Sequence, residues 1–252
     1  MSAHSSARID LDERGFAVIE GAFSEADVAH VRSVLDELFA TMTRDTPDGG
    51  RFIADMAPGG DRGSAGGAGP RWRQPELRYA ASFRPELLDT RMFRICHEIA
   101  RSLAGPVSRS FDHVIRKPAH ADVGTAWHQD GAYRRLSWQR STARLHFWIP
   151  LQDATVDNGC MQFVPGSHRV RRKHRSFARA SGSDGVTAEP TDADVVLACP
   201  VASGGLTIHT PLTLHAAGPN RTGEARTAWI IQFAPLGGLH LAMRRLLGHA
   251  PR

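Results

Sequence analysis

The sequence predicts a mainly β domain with flanking helices, built as a sandwich, barrel or jelly roll. From residue 110 onward, six short runs rich in Val, Ile, Leu, Phe and Trp follow one another with Gly, Pro, Asn and Asp between them. That is the spacing of short strands and turns in all-β folds. Helical periodicity is confined to the stretch before these runs. The length of 252 residues, with 41% hydrophobic and 23% charged side chains, suits one large domain with a sizeable core, so residues 1–252 are read as a single domain. No GxGxxG or GxxxxGK[ST] marks a nucleotide-binding unit, and there is no internal repeat.

The elements follow in order. "GFAVIEG" (15–21) alternates as a short strand between glycines. Ser24 is a good N-cap with Asp27 three residues on, as in a capping box, and Phe23 and Val28 stand at the staple positions. Val28, Val31, Leu35, Leu38, Phe39 and Met42 then make an amphipathic helical stripe. Residues 47–75 are dense in Gly and Pro, which sustain neither helix nor strand. A loop this long is either a functional lid or disordered, and both readings stay open. "PELLDTRMFRICHEIARSLAG" (85–105) is a second helix, opened by Pro85 and closed by Gly105. The strands are placed at 110–117, 143–151, 159–166, 194–201, 205–209 and 226–234.

Composition narrows the function classes. The net charge is +5 and the pI about 9.7, but arginine is spread widely, with no basic helix or aromatic-basic interleaving, which argues against nucleic acid. A modestly basic enzyme with an anionic small-molecule substrate fits better. No apolar run approaches the roughly 20 residues that span a bilayer. The N-terminus has no hydrophobic stretch of a signal peptide, and a cytoplasmic location is expected. Cys96, Cys160 and Cys199 match no zinc pattern and read as reduced, buried thiols. Oligomeric state is left open.

"TAWHQDGAY" (125–133) carries the chemistry. Residues i and i+2 of a strand point the same way, so His128 and Asp130 offer two ligands from one strand end. Two imidazoles and a carboxylate on one face of a metal are the pattern of non-heme Fe(II) oxygenases. The third ligand must come from a distant strand, and His215 is the candidate. Arg226 follows at the start of the apolar run "RTAWIIQF", where a guanidinium is costly unless it meets an anion. A dicarboxylate cosubstrate, paired bidentately, would satisfy it. Upstream, His120 and Asp122 form a second His-x-Asp, in a polar stretch after Pro118.

"WHQDGAY", "FWIPLQDATVDNGCMQFVPGSH" and "HAAGPNRTGEAR" resemble, in order, the motifs of the phytanoyl-CoA dioxygenase family of Fe(II)/2-oxoglutarate oxygenases. "RGFAVIEGAFSEADVAHVRSVLDEL" resembles its N-terminal strand and helix, so the likeness spans most of the chain. It implies a double-stranded β-helix, the cupin-like jelly roll, and Fe(II), 2-oxoglutarate and O2 as metal and cosubstrates. It also implies His128, Asp130 and His215 as ligands, with Arg226 on the distal carboxylate of 2-oxoglutarate. His120 and Asp122 lack the WHQD surroundings and read as a loop imidazole and a turn carboxylate. Thr125 resembles a position that contacts the cosubstrate in some relatives and Lys117 a lysine common in the preceding strand; a strand-end hydroxyl and an exposed amine are the plainer readings. Trp148 falls on the family's strand tryptophan, as core or pocket wall, and Trp127 and Tyr133 flank the ligands as candidate cavity walls. Two departures stand out: Ala217 replaces a serine found in many members, and Gly205-Leu206 replaces Gly-Asp.

His146 and His209 sit in strands and read as satisfied core histidines, and His168 in "PGSH" as structural. "RVRRKHR" (169–175) is a solvated loop or a greeting surface for an acidic substrate. The expected function is a non-heme iron, 2-oxoglutarate-dependent dioxygenase hydroxylating an unactivated C–H of a small metabolite, with specialised-metabolite biosynthesis as its setting. Asp130 argues against halogenation, which needs that carboxylate gone. A cupin-like isomerase or hydrolase without 2-oxoglutarate leaves Arg226 without a purpose. A non-catalytic ligand-binding jelly roll leaves three intact ligands unexplained.

Overall fold

The computed structural model describes residues 3–41, 52–57, 73–133, 144–179 and 184–237. Its strands are β1 (Phe16–Ile19), β2 (Ile53–Asp55), β3 (Pro75–Arg78), β4 (Val107–Lys117), β5 (Thr125–His128), β6 (Leu145–Pro150), β7 (Met161–Phe163), β8 (Arg175–Ala178), β9 (Asp184–Thr187), β10 (Leu197–Cys199), β11 (Leu206–His209), β12 (His215–Ala217) and β13 (Arg226–Pro235). All pair antiparallel, in a major sheet of order β1-β11-β6-β13-β4-β3-β2, a minor sheet β10-β7-β12-β5, and the hairpin β8-β9. This is the jelly roll the sequence predicts.

Strand alternation builds the layers. On β13, Trp229, Ile231 and Phe233 face the helices, while Ala228 and Ile230 face the space between the sheets. β6 repeats the pattern, with Phe147 and Ile149 outward and Trp148 inward. Both faces are buried, so these strands read as continuous apolar runs rather than as alternation. The helices α1 (Ala3–Arg14), α2 (Glu25–Thr41) and α3 (Arg91–Ala104) cover the outer face of the major sheet. α2 contributes Val28, Val31, Leu35 and Leu38, four residues of the predicted stripe; Met42 lies outside the described residues. The predicted capping box forms reciprocally, with the Ser24 amide donating to Asp27 Oδ2 (3.0 Å) and the Asp27 amide to Ser24 Oγ (3.2 Å).

The N-terminal stretch, for which no element was expected, is helical, with Ala7 and Leu11 docking α1 on the shared core. Two expectations change. The helix expected over 85–105 breaks at Thr90: a 3-10 turn (Pro85–Asp89) precedes it, and Thr90 Oγ1 caps α3 by accepting from the Phe93 amide at 3.2 Å. Within 47–75, Ile53–Asp55 is a buried strand paired with β3. Its Asp55 carboxylate accepts from the amides of Ala57, Arg73 and Gln74. Of the rest of that span, only 52, 56–57 and 73–75 fall among the described residues. Cys96, Cys160 and Cys199 are free and buried. No helix among the described residues is long and apolar enough to cross a membrane.

Candidate active site

The minor sheet brings the predicted ligands together. β12 pairs with β5 so that His215 lies directly opposite His128. Asp130 was expected in the same strand; instead the strand ends at His128, and Asp130 opens a 3-10 turn (Asp130–Tyr133) just past it. Gln129, between the two ligands, is 1% exposed. Its side-chain amide donates to the carbonyls of Leu212 (2.5 Å) and Val170 (2.9 Å), and its Oε1 accepts from the Arg172 amide (2.9 Å). The turn that aims Asp130 is therefore pinned from both sides.

Ligand atoms of His128, Asp130 and His215 lie within 4.8 Å of one another. His128 Nδ1 donates to the Ala126 carbonyl (2.7 Å) and His215 Nδ1 to the Thr213 carbonyl (2.8 Å). Both Nε2 lone pairs are thereby left facing Asp130, at 3.2 Å from Oδ1 and 3.7 Å from Oδ2. Burial, then the neighbouring His128, hold the His215 imidazole well below its usual pKa, so it is neutral. Burial opposes ionisation of Asp130, but the surrounding imidazoles, with His146 Nδ1 donating to Oδ2, outweigh it and hold the carboxyl well below its usual pKa. Two lone pairs and an anion converging in a buried pocket repel one another unless a cation sits between them. The arrangement fits a divalent metal, with each histidine's tautomer set by its carbonyl partner.

His146 and His209, expected as core histidines, wall the same site. They lie opposite each other on β6 and β11. His146 Nδ1 donates to Asp130 Oδ2 at 2.6 Å, and His209 Nε2 lies 3.4 Å from the same oxygen. Asp130, His146 and His209 also lie close enough to hold a metal. Yet each already turns its nearest nitrogen on the carboxylate, His146 Nδ1 at 2.6 Å and His209 Nε2 at 3.4 Å, and so presents no free lone pair there to a metal. They read as residues that orient Asp130. Sequence alone had no signal for this beyond two imidazoles in apolar strands.

Arg226 opens β13 at 1% exposure, with Nε and Nη1 lacking any partner among the described residues, and burial pushes its pKa down to about 10. Its guanidinium lies 5.3 Å from the Trp148 ring centroid. Lys117 stands directly across the ladder, fully buried rather than exposed. It donates from Nζ to the carbonyls of Ala217 (3.0 Å) and Gly218, and burial followed by the Arg226 charge lowers its pKa well below the ordinary value. Like charges opposite each other destabilise a sheet, so this pair calls for an anion. Thr125 Oγ1 accepts from Gln74 Nε2 at 2.7 Å.

A cavity of about 790 Å³ joins these groups, lined by the triad, Arg226, Thr125, Trp148 and Tyr133. Ala217 lies on its wall. Trp127 does not line it: the side chain packs on the other face of β5, against Val164, Ala188 and Leu214. At the cavity's far side the buried Glu76 binds His113 Nδ1 (2.6 Å) and Arg78 Nε (2.9 Å), a cluster the sequence did not single out. His120 and Asp122 stand apart: Asp122 is exposed and pairs with Arg73 at 3.6 Å. His168 Nε2 donates to the Asp12 carbonyl (3.3 Å) and is structural. In 169–175, Arg172 pairs with Asp194 (2.6 Å), and His174 Nε2 accepts the Gln129 amide (2.9 Å), so part of that basic run supports the ligand turn.

Residues 11–228 match the profile of the family described as phytanoyl-CoA dioxygenase (PhyH). Phytanoyl-CoA dioxygenase domain-containing protein 1 of Bos taurus is 29% identical over 147 residues, 56% of this chain and 50% of its own. The match thus spans about half the length of that relative. The crystal structure of EvdO2 from Micromonospora carbonacea var. aurantiaca, complexed with 2-oxoglutarate, superposes with a TM-score of 0.71 at 30% identity, covering 92% of this chain and 90% of that one. The epimerase SnoN, in complex with Fe3+, alpha ketoglutarate and nogalamycin RO, shares the fold: TM-score 0.70, 22% identity, 92% of this chain and 84% of that one.

Proposed function

The chain belongs to the phytanoyl-CoA dioxygenase (PhyH) family, and on that premise we propose that it is an iron- and 2-oxoglutarate-dependent oxygenase hydroxylating an unactivated C–H bond of a small metabolite. The single observation that carries the reading is the pairing, in one cavity, of the triad His128, Asp130 and His215 with an Arg226 guanidinium whose Nε and Nη1 have no partner among the described residues. Similarity to an enzyme crystallised with 2-oxoglutarate supports it.

His128, Asp130 and His215 would hold the iron through Nε2, a carboxylate oxygen and Nε2. His146 keeps Asp130 aimed by donating to Oδ2, and the Ala126 and Thr213 carbonyls hold both histidine tautomers. Arg226 would take the distal carboxylate of 2-oxoglutarate, with Lys117 fastening the Ala217 and Gly218 carbonyls beneath it. When bound, iron and 2-oxoglutarate supply O2 activation coupled to loss of CO2 and formation of succinate; the protein positions the partners and excludes water. The intact Asp130 leaves no ligand gap for halide. A metal-dependent isomerase or hydrolase without 2-oxoglutarate leaves the Arg226 cation buried without an anion.

Anaerobic titration of 2-oxoglutarate into the Fe(II)-loaded protein tests the reading. A metal-to-ligand charge-transfer band should form in the parent and vanish in His128→Ala and His215→Ala, with succinate produced once O2 and substrate are added. An Fe(II) protein that develops no band sinks the 2-oxoglutarate assignment and favours the cosubstrate-free metal enzyme.

A further inference from the structure

If Arg226 serves the cosubstrate, a second buried guanidinium on the same cavity needs its own partner. Arg179 follows β8, is 8% exposed and lines the cavity that contains the triad. The cavity's Arg78 is neutralised by Glu76 at 2.9 Å. Arg179 forms no ion pair among the described residues: its Nη2 donates to the Tyr133 hydroxyl at 2.6 Å and its Nε has no partner. A buried cation without a counter-charge is unfavourable, and natural sites answer it with a paired anion.

Tyr133 supplies the second observation. Its hydroxyl oxygen accepts from Arg179 Nη2 and, at 3.4 Å, from the Val186 amide. With both acceptor positions taken, the phenolic proton is left to donate. The same ring meets His128 edge-on, centroids 5.8 Å apart, while the Arg179 guanidinium carbon lies 5.3 Å from its centroid. Tyr133 therefore bridges the metal ligands to the unpaired cation.

We infer that Arg179 and Tyr133 form an anion subsite for the substrate, and that the oxygenase takes a small molecule bearing a carboxylate or phosphate group, anchored there with the carbon to be oxidised over His128 and Asp130. This rests on the functional reading above and deepens it. The guanidinium fork and the phenol together offer donors for two oxygens of one planar or tetrahedral anion.

The test uses the parent protein and Arg179→Gln, each loaded anaerobically with Fe(II) and saturating 2-oxoglutarate so that the Arg226 position is engaged. Phenylacetate, phenyl phosphate and phenylacetamide are titrated in turn, following both the charge-transfer band and tryptophan fluorescence. At least one anion should bind the parent about tenfold to thirtyfold more tightly than the neutral amide, the range for a charge-assisted contact in a partly hydrated site. The tighter of the two anions identifies the class. Arg179→Gln should bring the anions to the level of the amide, Tyr133→Phe should lose part of the preference, and 2-oxoglutarate affinity should stay within about twofold in both, since Arg226 is intact. Circular dichroism confirms that the variants fold; should Arg179→Gln fail that control, Arg179→Lys replaces it and should lose most of the preference with its planar fork. Equal binding of amide and anions, no binding of either anion, or anion binding unchanged without the guanidinium overturns the inference. A parent that never shows the charge-transfer band instead sinks the 2-oxoglutarate reading, and fluorescence still scores the subsite.

Discussion

At Asp130 the two carboxylate oxygens do different jobs. Oδ1 faces the His128 Nε2 lone pair, and Oδ2 takes the His146 proton at 2.6 Å. Removing that donor lets the carboxylate rotate, so His146→Phe should weaken Fe(II) affinity by roughly 10- to 100-fold, as loss of a residue orienting a ligand does. Competition against a calibrated chelator measures this, and unchanged affinity would make His146 a packing residue after all. Arg226 separates differently. Arg226→Ala should weaken 2-oxoglutarate by about 2–5 kcal/mol, the cost of leaving one member of a buried charge pair alone, with Fe(II) affinity unaltered. Arg226→Lys should recover only part, because the planar fork is lost. The residue types of the triad and of Arg226 were legible in the sequence because metal ligation and carboxylate pairing demand particular atoms. His146, His209 and Arg179 were not: an imidazole or guanidinium near an apolar run has the same local signature whether it faces a core or a cavity.

At the scale of elements, the β3-β4 ladder carries a buried charge cluster. Burial raises the Glu76 pKa, but the hydrogen bond and charge of His113, then Arg78, outweigh it and lower it from 4.5 to about 2. A depressed carboxyl stabilises the fold above its unfolded value and loses that contribution as pH falls through the folded one. Glu76 therefore contributes up to about 3 kcal/mol above pH 4.5, fading between pH 4.5 and about 2. Glu76→Gln should be destabilised most near pH 6 in urea unfolding, and the gap should close as the pH is lowered toward 2. A gap independent of pH would mean that packing, not charge, is at stake. The turn before β7 makes a second demand. Gly159 has φ +83°, and a Cβ there would clash with the Gly218 carbonyl oxygen, the same carbonyl that Lys117 holds. Gly159→Ala should cost roughly 1–3 kcal/mol and weaken 2-oxoglutarate binding, readable by thermal unfolding and the charge-transfer titration. Long elements with strong periodicity, such as α2 and β13, were readable in advance. β5 and β12, at four and three residues, were too short to announce themselves except through the motifs they carry.

At the scale of the whole molecule, the site joins the two sheets. His128 and His215 come from the minor sheet, while Arg226, His146 and His209 come from the major one. Filling it should brace the sandwich. Fe(II) with 2-oxoglutarate, each near 100 times its dissociation constant, should add about 2.7 kcal/mol per ligand, or roughly 5–10 °C in Tm for each in a domain of this size. A chelator should abolish the gain, and Arg226→Ala should keep the iron share alone. Absence of any shift in differential scanning fluorimetry would contradict a preformed, ligand-accepting site.

Sequence by itself picked out the candidate triad, the fold class and the amphipathic covering of α2, because ligand-type side chains, short apolar runs between turns and helical period are local properties. It could also separate His128 from His120, since the surrounding residues differ. The tertiary structure decided which groups meet across the cavity. The β5-β12 register sets His215 opposite His128, and Arg226 is laid opposite Lys117 by the β13-β4 register. Trp127 is turned away from the pocket into a separate cluster, and His146 and Tyr133 are brought to the ligands. Contacts between residues distant in the chain follow from pairing registers and turn geometry, which no short stretch of sequence encodes on its own.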